Sequence, residues 1–144
     1  MRDESIISFK ELTFGYDSKT IINKLTLDVP KGKVVAIMGG SGVGKTTLLK
    51  LAAGLITPKN NQVFVFNKDL STLNSMEKNR LRKDIGLLFQ FGALFTDLSC
   101  FENVAFPLRE HSKMSESLLH TTVMLKLECV GLRGAAHLMP SEIS

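Results

Sequence analysis

The chain has 144 residues, 44% of them apolar and 22% charged, with a formal net charge of +4. That length supports one domain whose core buries roughly 70% of the surface exposed by the unfolded chain, and no apolar run approaches the roughly 20 residues of a membrane-spanning helix. The polar, acidic start Met1-Arg2-Asp3-Glu4-Ser5 carries no apolar signal region, so the chain is expected to stay in the cytoplasm. Its positive excess is modest and scattered, which reads as a solvated surface with no nucleic-acid partner. The two cysteines, Cys100 and Cys129, lie far apart and read as small buried hydrophobes. His111, His120 and His137 lack metal-ligand spacing and read as surface or packing side chains.

In chain order, Ile6 to Phe14 alternates only roughly between apolar and polar and predicts a strand, turned by Gly15-Tyr16-Asp17-Ser18 into a hairpin. Ile21-Ile22 and Leu25 to Val29 predict its partner, closed by Pro30-Lys31-Gly32. Lys33 to Met38, a short apolar run, predicts a third strand. A helix from about Thr46 to Ala53 follows, stopped by Gly54, then a surface turn at Thr57-Pro58-Lys59-Asn60-Asn61 and a strand at Val63 to Phe66. Asn67-Lys68-Asp69 turns the chain. Ser75 to Asp84 predicts a short helix whose Lys78, Arg80, Arg82 and Lys83 form a solvated face, and Ile85 to Phe89 a buried-type strand ending at Gln90. From Phe91 onward, Gly92, Thr96-Asp97, Ser99 and Pro107 interrupt an apolar, partly helical stretch, which predicts a loop-rich helical subdomain. Its longest helix runs from Met114 or Ser115 to Val130, with Leu118, Leu119, Thr122, Leu125 and Cys129 on one side and Gly131 just past its end. Gly131 to Pro140 is read as a short connection.

The strongest chemical signal lies between the third predicted strand and the first helix, in Gly39-Gly40-Ser41-Gly42-Val43-Gly44-Lys45-Thr46-Thr47. Gly39, Gly44, Lys45 and Thr46 have the spacing of a phosphate-binding P-loop in its strand and helix context. Glycines let backbone N–H groups converge on phosphate oxygens, and the following helix points its positive end at the same place. Lys45 supplies a compact charge for the outer phosphates. The Thr46 hydroxyl suits the shell of a magnesium ion. At about 1.5–3 kcal/mol for each hydrogen bond to a charged phosphate, about five of them suffice for a micromolar nucleotide site.

Beside this loop, Phe14-Gly15-Tyr16 precedes it at hairpin distance, Gln90 closes the strand after the charged helix, Glu102-Asn103-Val104 follows, and Ser141-Glu142-Ile143-Ser144 comes last. Together these resemble the first half of the ATP-binding domain of ABC transporters, over essentially the whole chain. The resemblance implies an α/β P-loop NTPase fold of ABC ATPase type, truncated, with an N-terminal antiparallel β portion, a partial parallel core and a helical subdomain. Residues 1–90 would be the nucleotide-binding β/α core and 91–144 the start of the helical subdomain, both within one domain spanning 1–144. It also implies ATP and Mg2+ as ligands, Tyr16 stacking on adenine, and Gln90 meeting the magnesium and the attacking water. Phe89-Gln90-Phe91-Gly92-Ala93-Leu94-Phe95-Thr96-Asp97-Leu98, Asn103-Val104-Ala105, Pro107-Leu108-Arg109-Glu110-His111 and Leu118-Leu119-His120-Thr121-Thr122-Val123-Met124 are similar to the ATPases of Mla-type phospholipid transporters of Gram-negative bacteria. That likeness implies a pair of ATPase subunits on the cytoplasmic side of the inner membrane, under a pair of permeases, with an MCE-type lipid-binding protein and a STAS-type subunit.

The family signature, a serine followed by two glycines, would begin at Ser144. A Walker B aspartate, a catalytic glutamate, a D-loop and a switch histidine are not found in the sequence. Hydrolysis by this chain alone is therefore not expected, because phosphoryl transfer relies on positioned charge and a water-orienting base. Three readings stand at this point. The chain is part of the ATP-binding subunit of a lipid-transporting ABC system, a non-catalytic remnant that binds nucleotide weakly or is unstable alone, or a soluble P-loop kinase or GTPase. The last is disfavoured because Asn67-Lys68-Asp69 lacks the spacing of a guanine-specifying element and no arginine-rich lid is present.

Overall fold

The structure, a computed structural model, describes residues 4–90 and 92–143. The chain forms two compact units, Met1–Leu87 and Leu88–Ser144.

The first unit is built on a long antiparallel hairpin, β1 (Ser5–Tyr16) against β2 (Lys19–Pro30). β3 (Val63–Val65) adds to the far side of β1 and β4 (Lys68–Asp69) to β3, giving the order β2-β1-β3-β4. The imperfect alternation of β1 has a local cause. Glu11 takes a positive φ of 44° between Phe9, paired with Leu27, and Leu12, paired with Leu25. The extra residue shifts the parity of the strand, so that Phe9 and Leu12, an odd and an even position, are both buried. Lys24 does the same for β2 at φ 48°. Two threonines seal the bulges: the Glu11 N–H donates to Thr26 Oγ1 and the Lys24 N–H to Thr13 Oγ1, both at 3.1 Å.

Helix α1 (Lys45–Ala52) packs Leu48 and Leu51 against this sheet, and α2 (Ser75–Lys83) contributes Leu81, closing a core with Phe9, Leu12, Val63 and Val65. Gly54 ends α1 as predicted: its N–H bonds to the Leu51 carbonyl at 3.0 Å and the Leu55 N–H to that of Lys50 at 2.9 Å, the paired bonds of a Schellman stop. α2 opens with a reciprocal capping box between Asn74 and Glu77. Its basic residues are not only a solvated face. Arg82 Nη2 donates to the Gly54 carbonyl at 2.8 Å and Lys78 Nζ to Thr57 Oγ1 at 3.2 Å, tying α2 to the turn that leaves α1. In β4, burial pushes the Asp69 carboxyl up but the Ser71 backbone and hydroxyl and the Asn61 N–H outweigh it, leaving its pKa below the ordinary value.

Two predicted strands differ from what forms. Lys33 to Met38 and Ile85 to Phe89 join no ladder, and every pairing among the described residues is antiparallel. Runs that are apolar on both faces suit the interior of a parallel sheet, where neighbours lie on both edges. No described segment offers such an edge. Consequently Val34 and Leu88 are open to solvent rather than buried.

The second unit is a helical hairpin, α3 (Cys100–His111) against α4 (Glu116–Cys129), followed by 3-10 turns at Arg133–Ala135 and Pro140–Glu142. Both helices start on a serine, Ser99 and Ser115, whose hydroxyl accepts the N–H three residues on. Pro107, expected to interrupt helix, lies inside α3. Its position forgoes one hydrogen bond to the Asn103 carbonyl, and its ring is exposed, clear of the packed face. The buried stripe of α4 is Leu119, Val123 and Leu127 against Ala105, at spacings of four. Leu118, Leu125 and Cys129, expected on the packed side, are exposed. This helix is apolar on more than one side, so the sequence pattern left the buried face open. Arg109 on α3 bridges Glu102 and, at 3.4 Å, Glu116 of α4, and the hydrogen bonds it donates to the two carboxylates raise its pKa. Asn103 knots the preceding loop: its Oδ1 accepts the Phe95 N–H at 2.9 Å, and its Nδ2 donates to the carbonyls of Phe95, Leu98 and Ser99, each at 3.0 Å.

Candidate functional site

The loop Gly39 to Thr47 is built around three glycines with positive φ, Gly39 at 155°, Gly42 at 78° and Gly44 at 100°. Gly44 has two independent reasons to be glycine. Its left-handed backbone resists an L side chain, and a Cβ there would stand 2.8 Å from Ile21 Cγ2 and 3.4 Å from Ile22 Cγ1. The loop thus rests its last turn on β2. Ile21 and Ile22 were legible in the sequence as strand residues but not as its support.

Gly44 is also the N-cap of α1, and this end differs from the other helix starts. α2, α3 and α4 each begin on an Asn or Ser side chain that accepts a backbone N–H, with a glutamate in the first turn. α1 has neither a capping side chain nor an acid. Its first N–H groups and its positive end are left to an external anion, the requirement for holding phosphate. Lys45 Nζ folds back onto the loop, donating to the Gly39 carbonyl at 2.8 Å and the Gly40 carbonyl at 2.6 Å. Its charge is held at the loop. Thr46 is exposed, with its hydroxyl available to a cation. Thr47 is buried in the first turn of α1, next to Leu48. Gly40, Ser41 and Val43 are exposed along the loop's outer rim.

Tyr16 ends β1, 46% exposed, its ring edge-on to Phe14 at 5.3 Å between centroids. Phe14 pairs with Ile22 in the hairpin, and Ile22 in turn lies under Gly44. A continuous line of contacts therefore links the aromatic to the loop, and its free face can accept a flat ring. A cavity of about 310 Å³ between the hairpin tip and the Thr57–Lys59 turn includes neither Tyr16 nor any residue of the loop. Gln90 is an exposed turn residue of the second unit, while the loop and Tyr16 belong to the first. Phe91, and Ser144 at the expected start of the signature, lie outside the described residues.

The residues present fit Mg2+-ATP. The uncapped helix start and the glycine turns suit its phosphates, Lys45 their charge, Thr46 the cation, and Tyr16 the base.

Similarity to known proteins runs through both units. The chain is 51% identical over 142 residues to the intermembrane phospholipid transport system ATP-binding protein MlaF of Haemophilus influenzae, covering 99% of this chain and 54% of that protein. It is 46% identical over 140 residues to MlaF of Escherichia coli K12, covering 97% of this chain and 52% of that protein. The chain thus spans about half the length of the curated relatives it matches. Among solved structures, the ATP-binding cassette MJ0796, seen as a dimer in a post-hydrolysis state with ADP and Pi, superposes with a TM-score of 0.82 at 27% identity. That match covers 96% of this chain and 63% of the cassette. The antiparallel sheet, P-loop helix and helical hairpin are therefore those of a P-loop ABC cassette. The family model for ABC transporters matches residues 22–138, from β2 through the P-loop to the 3-10 turns after α4, and the chain belongs to that family.

Proposed function

We propose that this chain is part of the ATP-binding subunit of an ABC system that transports phospholipid, as its MlaF relatives are named for. The observation that carries this reading is the uncapped, acid-free start of α1 behind a glycine loop that already holds Lys45. Residues Gly39 to Thr47 bind the phosphates, with Lys45 neutralising the outer ones and Thr46 contributing its hydroxyl to Mg2+. Tyr16 takes the adenine by stacking, which contributes about 1–3 kcal/mol. Gln90 serves the magnesium and the attacking water. Bound Mg2+ neutralises charge on the transferring phosphate. Residues 1–90 form the nucleotide-binding portion and 91–144 the start of the helical subdomain. The assembly comprises a second copy of the ATPase subunit, an inner-membrane permease, an MCE-type lipid-binding protein and a STAS-type subunit, with this chain peripheral on the cytoplasmic side.

Calorimetric titration with Mg2+-ATP tests the site directly. Lys45→Ala is expected to abolish the binding seen with the parent chain. Unchanged affinity would place the nucleotide elsewhere.

A further inference from the structure

The cavity between the tip of the β1–β2 hairpin and the turn Thr57-Pro58-Lys59 has no part in the nucleotide site. Its volume of about 310 Å³ stands at the lower end of the ~300–1,000 Å³ found for small-molecule sites. The lining is rich in donors. Lys19 and Lys59 bring two ammonium groups against the single carboxylate of Asp17, and neither lysine makes an ion pair among the described residues. Two threonine hydroxyls of the wall already accept a hydrogen bond: Thr13 Oγ1 from the Lys24 N–H at 3.1 Å, and Thr57 Oγ1 from Lys78 Nζ at 3.2 Å. A hydroxyl whose oxygen is engaged in this way still has its proton to give. Among the described residues neither proton has an acceptor. Lys78 also sets a third positive charge against Thr57. Phe14 and the buried Pro58 add an apolar portion to the wall.

We propose that this cavity binds a small phosphate ester, at a site separate from the P-loop. A phosphate dianion answers both features of the wall: it brings negative charge to Lys19 and Lys59 and acceptor oxygens to the Thr13 and Thr57 hydroxyls. Asp17 is the one group that repels it, and a carboxylate is satisfied by a hydroxyl on the organic remainder of an ester, which bare phosphate lacks. Phe14 and Pro58 suit the carbon of that remainder. A short phosphorylated polyol therefore fits the cavity better than inorganic phosphate does. The lining contains neither Tyr16 nor any residue from Gly39 to Thr47, so the ester is a second ligand and no portion of ATP. The inference stands apart from the nucleotide reading.

The test is a calorimetric titration with glycerol 3-phosphate, without nucleotide, of the 144-residue chain carrying Lys45→Ala, which removes the P-loop cation. Saturable 1:1 binding is expected, as tight as in the parent chain. Adding Lys19→Gln and Lys59→Gln together is expected to weaken it at least ~10-fold, since two charge-assisted hydrogen bonds are lost. Thr57→Val is expected to weaken it about 10-fold and Thr57→Ser to retain it, because only the hydroxyl is needed. Lys19 and Lys59 are exposed, so the circular dichroism of their variant stays that of the parent. Lys68→Gln with Lys83→Gln removes the same charge from exposed positions outside the cavity and is expected to change affinity by no more than ~2-fold. Glycerol alone is expected not to bind. Absence of binding would overturn the proposal, as would binding that Lys45→Ala abolishes, full affinity without Lys19 and Lys59, equal losses in the two lysine pairs, or glycerol binding as tightly as its phosphate.

Discussion

Replacing Gly44 by alanine tests the support beneath the P-loop. An L side chain in the left-handed region costs about 1–2 kcal/mol. The new Cβ would also meet Ile21 Cγ2 at 2.8 Å. That atom is the end of a side chain, so Ile21 can yield by leaving its rotamer, at about 0.5–1.5 kcal/mol. Together these come to about 1.5–3.5 kcal/mol, or a factor of roughly 10 to 400. If the loop keeps its shape, the cost appears as reduced stability of the first unit in urea denaturation. If the loop relaxes, stability is retained and the loss appears in Mg2+-ATP affinity. Measuring both captures the total. Gly40→Ala is the stability control, since its φ is not positive and a Cβ there meets nothing within 4 Å. A Gly44→Ala chain with parent stability and parent affinity would refute the assignment of Gly44 as the constrained base of the loop.

Tyr16→Ala is expected to weaken ATP binding by roughly 5- to 150-fold while Tyr16→Phe keeps it, because stacking needs the ring and not the hydroxyl; equal loss in both variants, read by calorimetry, would point to the hydroxyl. Asn74→Ala removes one half of the capping box of α2 and is expected to cost about 1 kcal/mol of stability with no change in nucleotide affinity, as followed by thermal denaturation and titration. Asp69 has a folded pKa below its unfolded value, so the stability it contributes is present above about pH 3.9 and is lost as pH falls through the lower folded pKa. Asp69→Asn is therefore expected to be less stable than the parent near pH 6 by about 1 kcal/mol, with the gap closing on acidification; a gap independent of pH would remove the carboxylate from the explanation.

The parts of the molecule legible in sequence are those decided locally. Gly44 and Lys45 at their spacing, Gly54 and Gly131 as helix stops, and the turn at Asp17-Ser18 all depend on backbone conformation within a few residues, and each forms where expected. The parity shift of β1 was visible only as disorder in its alternation, because a bulge at Glu11 leaves no residue-type signature when glycine is absent. Which side of α4 is buried was not legible, since Leu118 and Leu125 are as apolar as Leu119 and Leu127 and only the partner helix chooses between them. Lys33–Met38 shows the same limit more sharply. Its composition announces a strand, but strand formation is a property of two segments, and composition describes one. In the site, motif and position were enough to single out the loop Gly39 to Thr47 and Tyr16 as candidates. Their support by Ile21 and Ile22, and the absence of a cap on α1, emerge only when all four helix starts are compared.

Asn103 gives the second unit a mechanical character that its loop-rich sequence conceals. A single side chain holds both backbone groups of Phe95 and the carbonyls of Leu98 and Ser99. Those residues are thereby tied to α3, which is joined to α4 by the packing of Ala105 against Leu119, Val123 and Leu127. A push delivered at Leu94 or Phe95, a few residues beyond Gln90, is passed to the helical hairpin as displacement, whereas a slack loop of the same length would absorb it as bending.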